Sequence, residues 1–225
     1  MSMTFLSLVK RVCRECGVGE VTTTVSQSGE ALRMCDWVNS AYMDVLGAHQ
    51  DFGFLRTSTS FMSVAGQATY TPAQAGTTNF GRWVRDSFRN YPTATGTSAE
   101  VFMECVDYEG WRNLYQFGSN RTATSQPYYV AITPAKALGF GPVPAAGYTI
   151  TADYFTAPVE MSGDSATHLI PTHYEMIIVY KAMMFYGGFE AASEVYDRGK
   201  LEFTRMMSKM RNDYLPDIEF AEPLV

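Results

Sequence analysis

Residues 173–214 read HYEMIIVYKAMMFYGGFEAASEVYDRGKLEFTRMMSKMRNDY, and this stretch decides the fold because it is the longest helix-like segment of the chain. Its apolar residues recur every three or four positions, which is the spacing of an amphipathic helix. Gly187 and Gly188 interrupt the pattern, and two adjacent glycines cost about 2 kcal/mol relative to alanine in a helix interior. The sequence therefore predicts two helices joined by a turn at the glycines, with Pro216 ending the second helix.

The N-terminal part of the chain shows the same period and predicts two further helices. Thr4 can cap the first helix, and Gly17 suits its C-terminal end. Ser28 can open the second helix, which carries an apolar stripe. The stripe consists of Ala31, Met34, Cys35, Val38, Ala41, Tyr42, Val45 and Leu46. We expect residues 1–53 and 161–214 to pack together as one helical core.

Residues 54–160 have a different pattern, in which short apolar or alternating runs are separated by Gly, Pro, Asn and Ser. In the last run, alternation places Tyr148, Ile150, Ala152 and Tyr154 on one face of a strand and Thr149, Thr151 and Asp153 on the other. Residues 108–117 (YEGWRNLYQF) predict a short helix or a turn. The expected class is α+β: a helical bundle from the N- and C-terminal helices with an inserted antiparallel β-rich sandwich or barrel-like unit.

Residues 215–225, LPDIEFAEPLV, follow the last predicted helix and combine acidic with apolar side chains. Pro216 and Pro223 prevent the helix from continuing. One interpretation is a frayed end without a role. The other is an extended arm that buries Ile218, Phe220 and Leu224 on a partner.

The composition limits the classes of function. The net charge is −6, which argues against a protein that neutralises nucleic-acid phosphates. Hydrophobic residues make up 46% of the chain and charged residues only 18%, which indicates either a large core or a surface buried against other chains. The sequence shows no secretory signal and no apolar run long enough to span a membrane, so we expect a soluble protein that is cytosolic at synthesis.

We find no catalytic grouping in the sequence. His168 and His173 lie close to Asp164 along the chain, but no nucleophile accompanies them. Trp83 and Trp111 lie in the β-rich part and could form an exposed sugar-binding or base-stacking platform, but core or subunit packing is the preferred interpretation for each. The sequence therefore offers no convincing active site.

The four cysteines are Cys13, Cys16, Cys35 and Cys105. The first two form a CxxC at the end of a predicted helix, but no second CxxC follows. A zinc site would need a further Cys or His brought in by folding. The spacing favours reduced, buried thiols, and we expect no metal site.

Four stretches together resemble the head-to-tail adaptor (connector, or head-completion) proteins of tailed bacteriophages. Residues 35–56 (CDWVNSAYMDVLGAHQDFGFLR) resemble the helix and strand that open many of these adaptors. Residues 106–118 (VDYEGWRNLYQFG) and 127–161 (PYYVAITPAKALGFGPVPAAGYTITADYFTAPVEM) resemble their central motifs. Residues 168–192 (HLIPTHYEMIIVYKAMMFYGGFEAA) resemble their closing helix pair, with the usual Tyr-His order reversed at positions 173 and 174. The order of the motifs is kept across nearly the whole chain.

The resemblance implies a structural virion protein without enzymatic activity or cofactor. Such adaptors form a ring, usually twelvefold, under the portal ring of the DNA-filled head, and extend the channel through which double-stranded DNA passes without sequence-specific binding. Their other partner is a downstream tail protein: a nozzle, a stopper or a tail tube. No membrane contact is implied, and the location is the virion, with assembly in the host cytoplasm.

The resemblance also suggests roles for particular residues. The arm with Ile218, Phe220 and Leu224 would dock on the portal. Helical core or subunit packing would use Trp37, Tyr42, Tyr174, Ile178, Phe185, Tyr196, Phe203, Met206 and Met210. The alternative function is a tail or decoration module that binds carbohydrate or another protein through its β-rich part.

Overall fold

The computed structural model describes residues 2–216 of the chain. Its α+β class confirms the prediction, since helices and several antiparallel sheets are both present. The described residues form two compact units, which we call the helical unit and the β unit. The helical unit runs up to Leu55 and resumes at Pro158, and the β unit is Arg56–Ala157. The sequence places these boundaries after residues 53 and 160.

Within residues 2–216 the helices are α1 (Phe5–Cys16), α2 (Gly29–Gly47), α3 (Tyr108–Tyr115), α4 (Met176–Phe189) and α5 (Ser193–Tyr214). The strands in the same range are β1 (Arg56–Met62), β2 (Thr69–Tyr70), β3 (Phe80–Trp83), β4 (Arg89–Pro92), β5 (Val101–Phe102), β6 (Glu104–Val106), β7 (Thr124–Ser125), β8 (Tyr129–Ile132), β9 (Leu138–Gly141), β10 (Val143–Pro144) and β11 (Tyr148–Thr156). Residues 108–117, which the sequence left between helix and turn, thus contain the helix α3.

Local chemistry sets the ends of the first two helices. The Thr4 hydroxyl accepts a hydrogen bond from the Ser7 N–H at 3.3 Å, and Gly17 ends α1 in the left-handed conformation, at φ 71°. Ser28 precedes α2 as predicted, although its side chain makes no capping bond. The buried residues are Phe5, Leu8, Val9, Val12 and Cys13 of α1, and Met34, Cys35, Val38, Ala41, Tyr42, Val45 and Leu46 of α2. The predicted stripe of α2 therefore faces the core.

The predicted break at Gly187-Gly188 is wrong. Helix α4 continues through both glycines, and the turn into α5 lies just after Phe189, where Ala191 takes φ 54°. The reason is close packing between the two helices. A Cβ at Gly187 would lie 2.7 Å from the backbone nitrogen of Tyr196 in α5. Gly187 therefore lets the helices approach each other, and the packing offsets its poor helix propensity.

The start of the chain is hydrogen-bonded to the segment before α4. The Phe5 N–H donates to the Ala166 carbonyl at 2.8 Å, and the Met3 N–H donates to Glu175 Oε2 at 2.8 Å. Thr4 and Thr167 form an isolated antiparallel bridge. These bonds satisfy backbone groups ahead of α1 and fix the entry into the helical unit.

The β unit contains two main sheets, and its residues are described throughout. One sheet has the order β1-β11-β4-β5, with β3 also pairing with β11, and the other has the order β2-β9-β8-β6. Most pairs are antiparallel as predicted, but β6 pairs with β8 and β7 pairs with β10 in parallel. The core cluster consists of Tyr70, Ala75, Trp83, Phe88, Met103, Val130, Leu138, Phe140, Ile150, Ala152 and Tyr154. The predicted inner face of β11 accordingly lies in this core.

Trp83 and Trp111 are packed, as the preferred interpretation predicts, and do not form an exposed platform, because each side chain is only 3% exposed. The Trp83 indole packs in the core and donates from Nε1 to the Lys136 carbonyl at 2.9 Å. The Trp111 ring covers Gly139, where a Cβ would lie 2.5 Å from the ring. Neither ring offers an open face for a sugar or a base.

Candidate interaction surfaces

An aromatic cluster with an arginine lies on the surface of the helical unit. The Trp37 ring is 6.0 Å from the Tyr186 ring and 5.5 Å from the Phe189 ring, measured between centroids. The Arg33 guanidinium lies 4.7 Å above the centroid of Phe189. Phe189 is 57% exposed. Leu32, which precedes Arg33 in the chain, is 43% exposed. We call Arg33, Trp37, Tyr186 and Phe189 the aromatic corner.

The residues predicted for helical core or subunit packing divide into two groups. Tyr42, Tyr174, Ile178 and Met210 are buried. Trp37, Phe185, Tyr196, Phe203 and Met206 are only half-buried. In the second group, the Lys181 ammonium covers part of two rings, at 5.1 Å from the centroid of Phe185 and 5.5 Å from that of Phe203. The half-buried group leaves apolar surface on the helical unit.

The last turn of α5 is held by aromatic and polar contacts. The Tyr174 hydroxyl donates to Asp213 Oδ2 at 2.5 Å, and this bond raises the pKa of Tyr174 to about 12 because the neutral phenol is the donor. The Tyr214 ring lies 5.1 Å from the ring of Phe54 in an edge-on arrangement. These contacts fix the direction of the chain at Tyr214, shortly before the predicted arm. The arm residues Ile218, Phe220 and Leu224 lie outside the described residues.

The structure does not bring the candidate acid–base residues together. Asp164 accepts hydrogen bonds from the Thr24 N–H at 2.5 Å and from the hydroxyls of Thr23 and Thr24, and these bonds lower the pKa of its carboxyl. His168 is buried, and its Nε2 lies 3.5 Å from Glu175 Oε2. Burial lowers the pKa of His168, and the nearby Glu175 carboxylate partly opposes that effect. These side chains thus support the local structure rather than one another.

The cysteines are free thiols with the properties of packing residues. Burial raises the pKa of Cys16 to about 12 and that of Cys35 to about 11. Both thiols are therefore protonated at neutral pH. Among the residues that the structure describes, no group of three or more His, Cys, Asp or Glu side chains could hold a metal ion.

The outer face of the first sheet of the β unit holds an open depression of about 560 Å³. Its lining includes Thr151 and Asp153, which the sequence places on one face of β11. The Arg56 side chain donates to Asp153 Oδ2 from Nε at 2.9 Å and from a terminal nitrogen at 2.6 Å. The Asp153 N–H donates to the Ser87 hydroxyl at 2.9 Å. The arrangement is an ion pair among hydroxyls, and no base activates a nucleophile in it.

The candidate acid–base side chains are engaged in structural contacts, and the helices leave several aromatic side chains half-buried. The model of the SU10 adaptor protein family matches residues 3–218, and the chain belongs to this family of bacteriophage head-to-tail adaptors. No curated protein matches the chain. No helix within residues 2–216 is both long enough and apolar enough to cross a membrane.

Proposed function

We propose that the protein forms a twelve-membered ring beneath the portal and connects the phage head to the tail. The observation that carries this proposal is the family match, which extends over residues 3–218 and therefore includes both the helical unit and the β unit. The protein acts as a structural part of the virion at the head–tail junction, without catalysis or cofactor. It assembles in the host cytoplasm, and its second partner is a tail nozzle, stopper or tail tube protein.

The aromatic corner supplies a subunit contact in this ring. Trp, Tyr and Arg are the residue types most enriched among the strong contacts of protein interfaces. Phe189 keeps 57% of its surface exposed beside Arg33 and Trp37, so a neighbouring subunit can cover it without disturbing the core. Burial of such an aromatic side chain between subunits removes apolar surface from water and stabilises the twelve-membered assembly.

The ring extends the channel for double-stranded DNA and binds the duplex weakly. The net charge of −6 opposes the counterion release on which tight phosphate binding depends. We expect no measurable binding of a duplex oligonucleotide at physiological salt, in a fluorescence anisotropy titration. Binding with a sub-micromolar dissociation constant that weakens steeply with salt would contradict this part of the proposal.

Residues 215–225 form the arm that docks on the portal through Ile218, Phe220 and Leu224. The described chain supports this proposal by fixing Tyr214, so that the arm leaves the helical unit from a defined point. Burial of three such side chains contributes about 4–8 kcal/mol per subunit before the cost of ordering the segment. The contribution repeats around the ring, where simultaneous contacts add avidity.

Deletion of residues 215–225 tests the arm. We expect the melting temperature of the isolated protein to stay unchanged and co-purification with the portal protein to be lost. Replacement of Ile218, Phe220 and Leu224 by serine should have the same effect, whereas the matched substitutions Glu219→Gln and Glu222→Gln should retain portal binding. Full portal binding by the truncated protein would show that the arm has no docking role.

The ring itself is tested by native mass spectrometry of the protein alone and mixed with the portal protein of the same phage. The mixture should give a complex that carries twelve copies of this chain on one portal ring. A mixture that contains only free subunits and free portal would contradict the proposal. The measurement with portal is the decisive one, since an adaptor can remain monomeric until it meets its portal.

A further inference from the structure

A second depression of the β unit, of about 360 Å³, lies beside α3. Its walls include the rings of Tyr108, Trp111 and Phe117 and the side chains of Arg112 and Arg121. The volume falls at the lower end of the range for sites that bind small groups, roughly 300–1,000 Å³. The depression thus combines apolar walls with two cationic groups.

The indole of Trp111 has an unsatisfied hydrogen-bond donor. Its Nε1 is buried and has no partner among the described residues. In the same unit, Trp83 Nε1 donates to the Lys136 carbonyl at 2.9 Å. A buried N–H without an acceptor is costly, and most buried polar groups in proteins are paired. The unpaired donor of Trp111 therefore points to an acceptor that arrives from outside the chain.

The position of α3 is fixed, so the depression is a formed feature rather than a loose crevice. The Asp107 carboxylate accepts a hydrogen bond from the Gly110 N–H at 2.8 Å and caps the start of the helix. The rings of Trp111 and Tyr115 lie directly over Gly139 and Gly141 of β9, where any larger residue would collide with them. The helix thus holds the Trp111 indole against a floor made of backbone.

The two arginines give the depression a preference for anions. Arg121 donates from Nε and from a terminal nitrogen to the Gln116 carbonyl, at 3.0 and 2.7 Å, and a guanidinium has five N–H donors in all. Arg112 lies 5.5 Å from the centroid of Phe117 and makes only a long contact of 3.9 Å with Glu109. A guanidinium group can bind the two oxygens of a carboxylate with two parallel N–H donors.

We propose that this depression binds an Asp or Glu side chain of an extended segment of a partner protein. The carboxylate is held by Arg112 and Arg121 and accepts a hydrogen bond from Trp111 Nε1, for which the side chains around the buried indole N–H have to shift. An apolar neighbour of that acidic residue packs on Tyr108 and Phe117. The site goes beyond the ring proposal and does not depend on it.

A protein segment fits the depression better than a nucleic acid does. Trp111 is only 3% exposed, so its ring has no open face on which a base could stack. The net charge of −6 repels the many phosphate groups of a nucleic acid. A single carboxylate carries one negative charge and is therefore repelled much less. The combination of a charged group and an apolar neighbour is also a common pattern in peptide recognition.

The proposal can be tested by NMR, because the tryptophan indole N–H groups give separate signals. A blocked peptide, acetyl-ALEFA-amide, is titrated into the full-length protein, and the matched peptide acetyl-ALQFA-amide serves as the neutral control. The Trp111 indole signal should move downfield as it gains an acceptor, with an apparent dissociation constant of about 1 mM. The Trp83 indole signal should stay in place, since its donor is already bound to Lys136.

Variants show whether the arginines hold the carboxylate. Arg112→Ala and Arg121→Ala should each weaken peptide binding by about tenfold, which is the effect of losing a charge-assisted hydrogen bond. Arg85→Ala, an exposed arginine of the same unit that does not line the depression, should bind like the wild type. An unchanged Trp83 signal shows in each variant that the β unit keeps its fold.

Three outcomes would overturn the proposal. The Trp111 signal could remain still up to about 10 mM acidic peptide, well above the expected dissociation constant. It could respond equally to the neutral peptide, or it could respond to inorganic phosphate or duplex DNA and not to the acidic peptide. None of these results bears on ring formation, because the ring is measured separately with the portal protein.

Discussion

The core of the β unit holds more large aromatic side chains than the core of the helical unit. In the β unit, Trp83, Phe88 and Phe140 are enclosed in the core. In the helical unit, Trp37 and Phe203 are only half-buried. Helix α5 packs chiefly on α4, so a wide apolar stripe on it has one helical neighbour and stays partly uncovered. The half-buried side chains leave apolar surface on the helical unit, and we propose that further subunits cover it.

Truncation of the core should have the largest effect on stability. Phe140 is fully buried in the β unit, and Phe140→Ala should lower the free energy of unfolding by about 3–5 kcal/mol, because it removes apolar contacts and leaves a cavity. Phe102, in the same unit but 52% exposed, is the matched control, and Phe102→Ala should cost less than about 0.5 kcal/mol. Chemical denaturation followed by tryptophan fluorescence measures both values. Equal losses for the two variants would mean that the β unit has no closed aromatic core.

Glycine substitution in the β unit should have the next largest effect. Gly139→Ala places a methyl group against the Trp111 ring, at 2.5 Å before any relaxation, and should cost about 1–3 kcal/mol. Gly147→Ala meets its nearest atom, Met62 Sδ, at an ordinary 3.6 Å and should not destabilise the protein. Thermal unfolding of the two variants distinguishes a close contact from a general cost of losing glycine. A stable Gly139→Ala variant would show that α3 can move away from β9.

In the helical unit, the neighbouring Gly187 and Gly188 allow the same comparison between a closely packed glycine and one with open space around it. Gly187→Ala should cost about 1–3 kcal/mol, because its Cβ would lie 2.7 Å from the backbone of Tyr196, which cannot move as a side chain can. Gly188→Ala has no atom within 4 Å and should stabilise the protein by up to about 1 kcal/mol through better helix propensity. Guanidinium denaturation followed by circular dichroism measures the difference. Stabilisation by both substitutions would contradict the close packing of α4 on α5.

The smallest effect concerns the pH dependence of the helical unit. Burial lowers the pKa of His168 below its ordinary 6.5, so folding favours the neutral imidazole. The contribution of neutral His168 to the stability of the fold is fully present above about pH 6.5. It is lost as the pH falls, because the unfolded chain then binds the proton more readily than the folded chain does. The melting temperature should therefore decrease as the pH is lowered from about 7.5 to 5.5. His168→Gln should reduce that slope, which thermal unfolding at several pH values measures, and an unchanged slope in this variant would contradict the assignment to His168.

The fold could be predicted where local chemistry decides it. The cap at Thr4 and the end of α1 at Gly17 follow from rules that act within a few residues, and the inner face of β11 follows from alternation. The continuation of α4 through Gly187 could not be predicted, since it depends on a contact with Tyr196 in another helix. The parallel pairing of β6 with β8 likewise joins segments whose patterns carry no information about each other.

The residues of the candidate surfaces could be predicted only in part from the sequence. Trp37 was among the predicted packing residues, and Arg33 lies four positions before it on α2, which is a helical neighbour spacing. Phe189 was missed because the predicted break at Gly187-Gly188 placed it in a turn rather than at the end of α4. The unpaired donor of Trp111 has no signal in the sequence, since it depends on what surrounds the indole after folding.

We propose that the helical unit, through its aromatic corner, carries the contacts between subunits of the ring. Native mass spectrometry of single variants mixed with the portal protein tests it most directly. Phe189→Ser should lower the affinity of assembly by at least about tenfold while the isolated protein keeps its melting temperature. Phe102→Ser, a comparably exposed phenylalanine of the β unit, should still give the complex with twelve copies. Normal assembly by Phe189→Ser together with loss of assembly by Phe102→Ser would contradict the account and assign the ring contacts to the β unit.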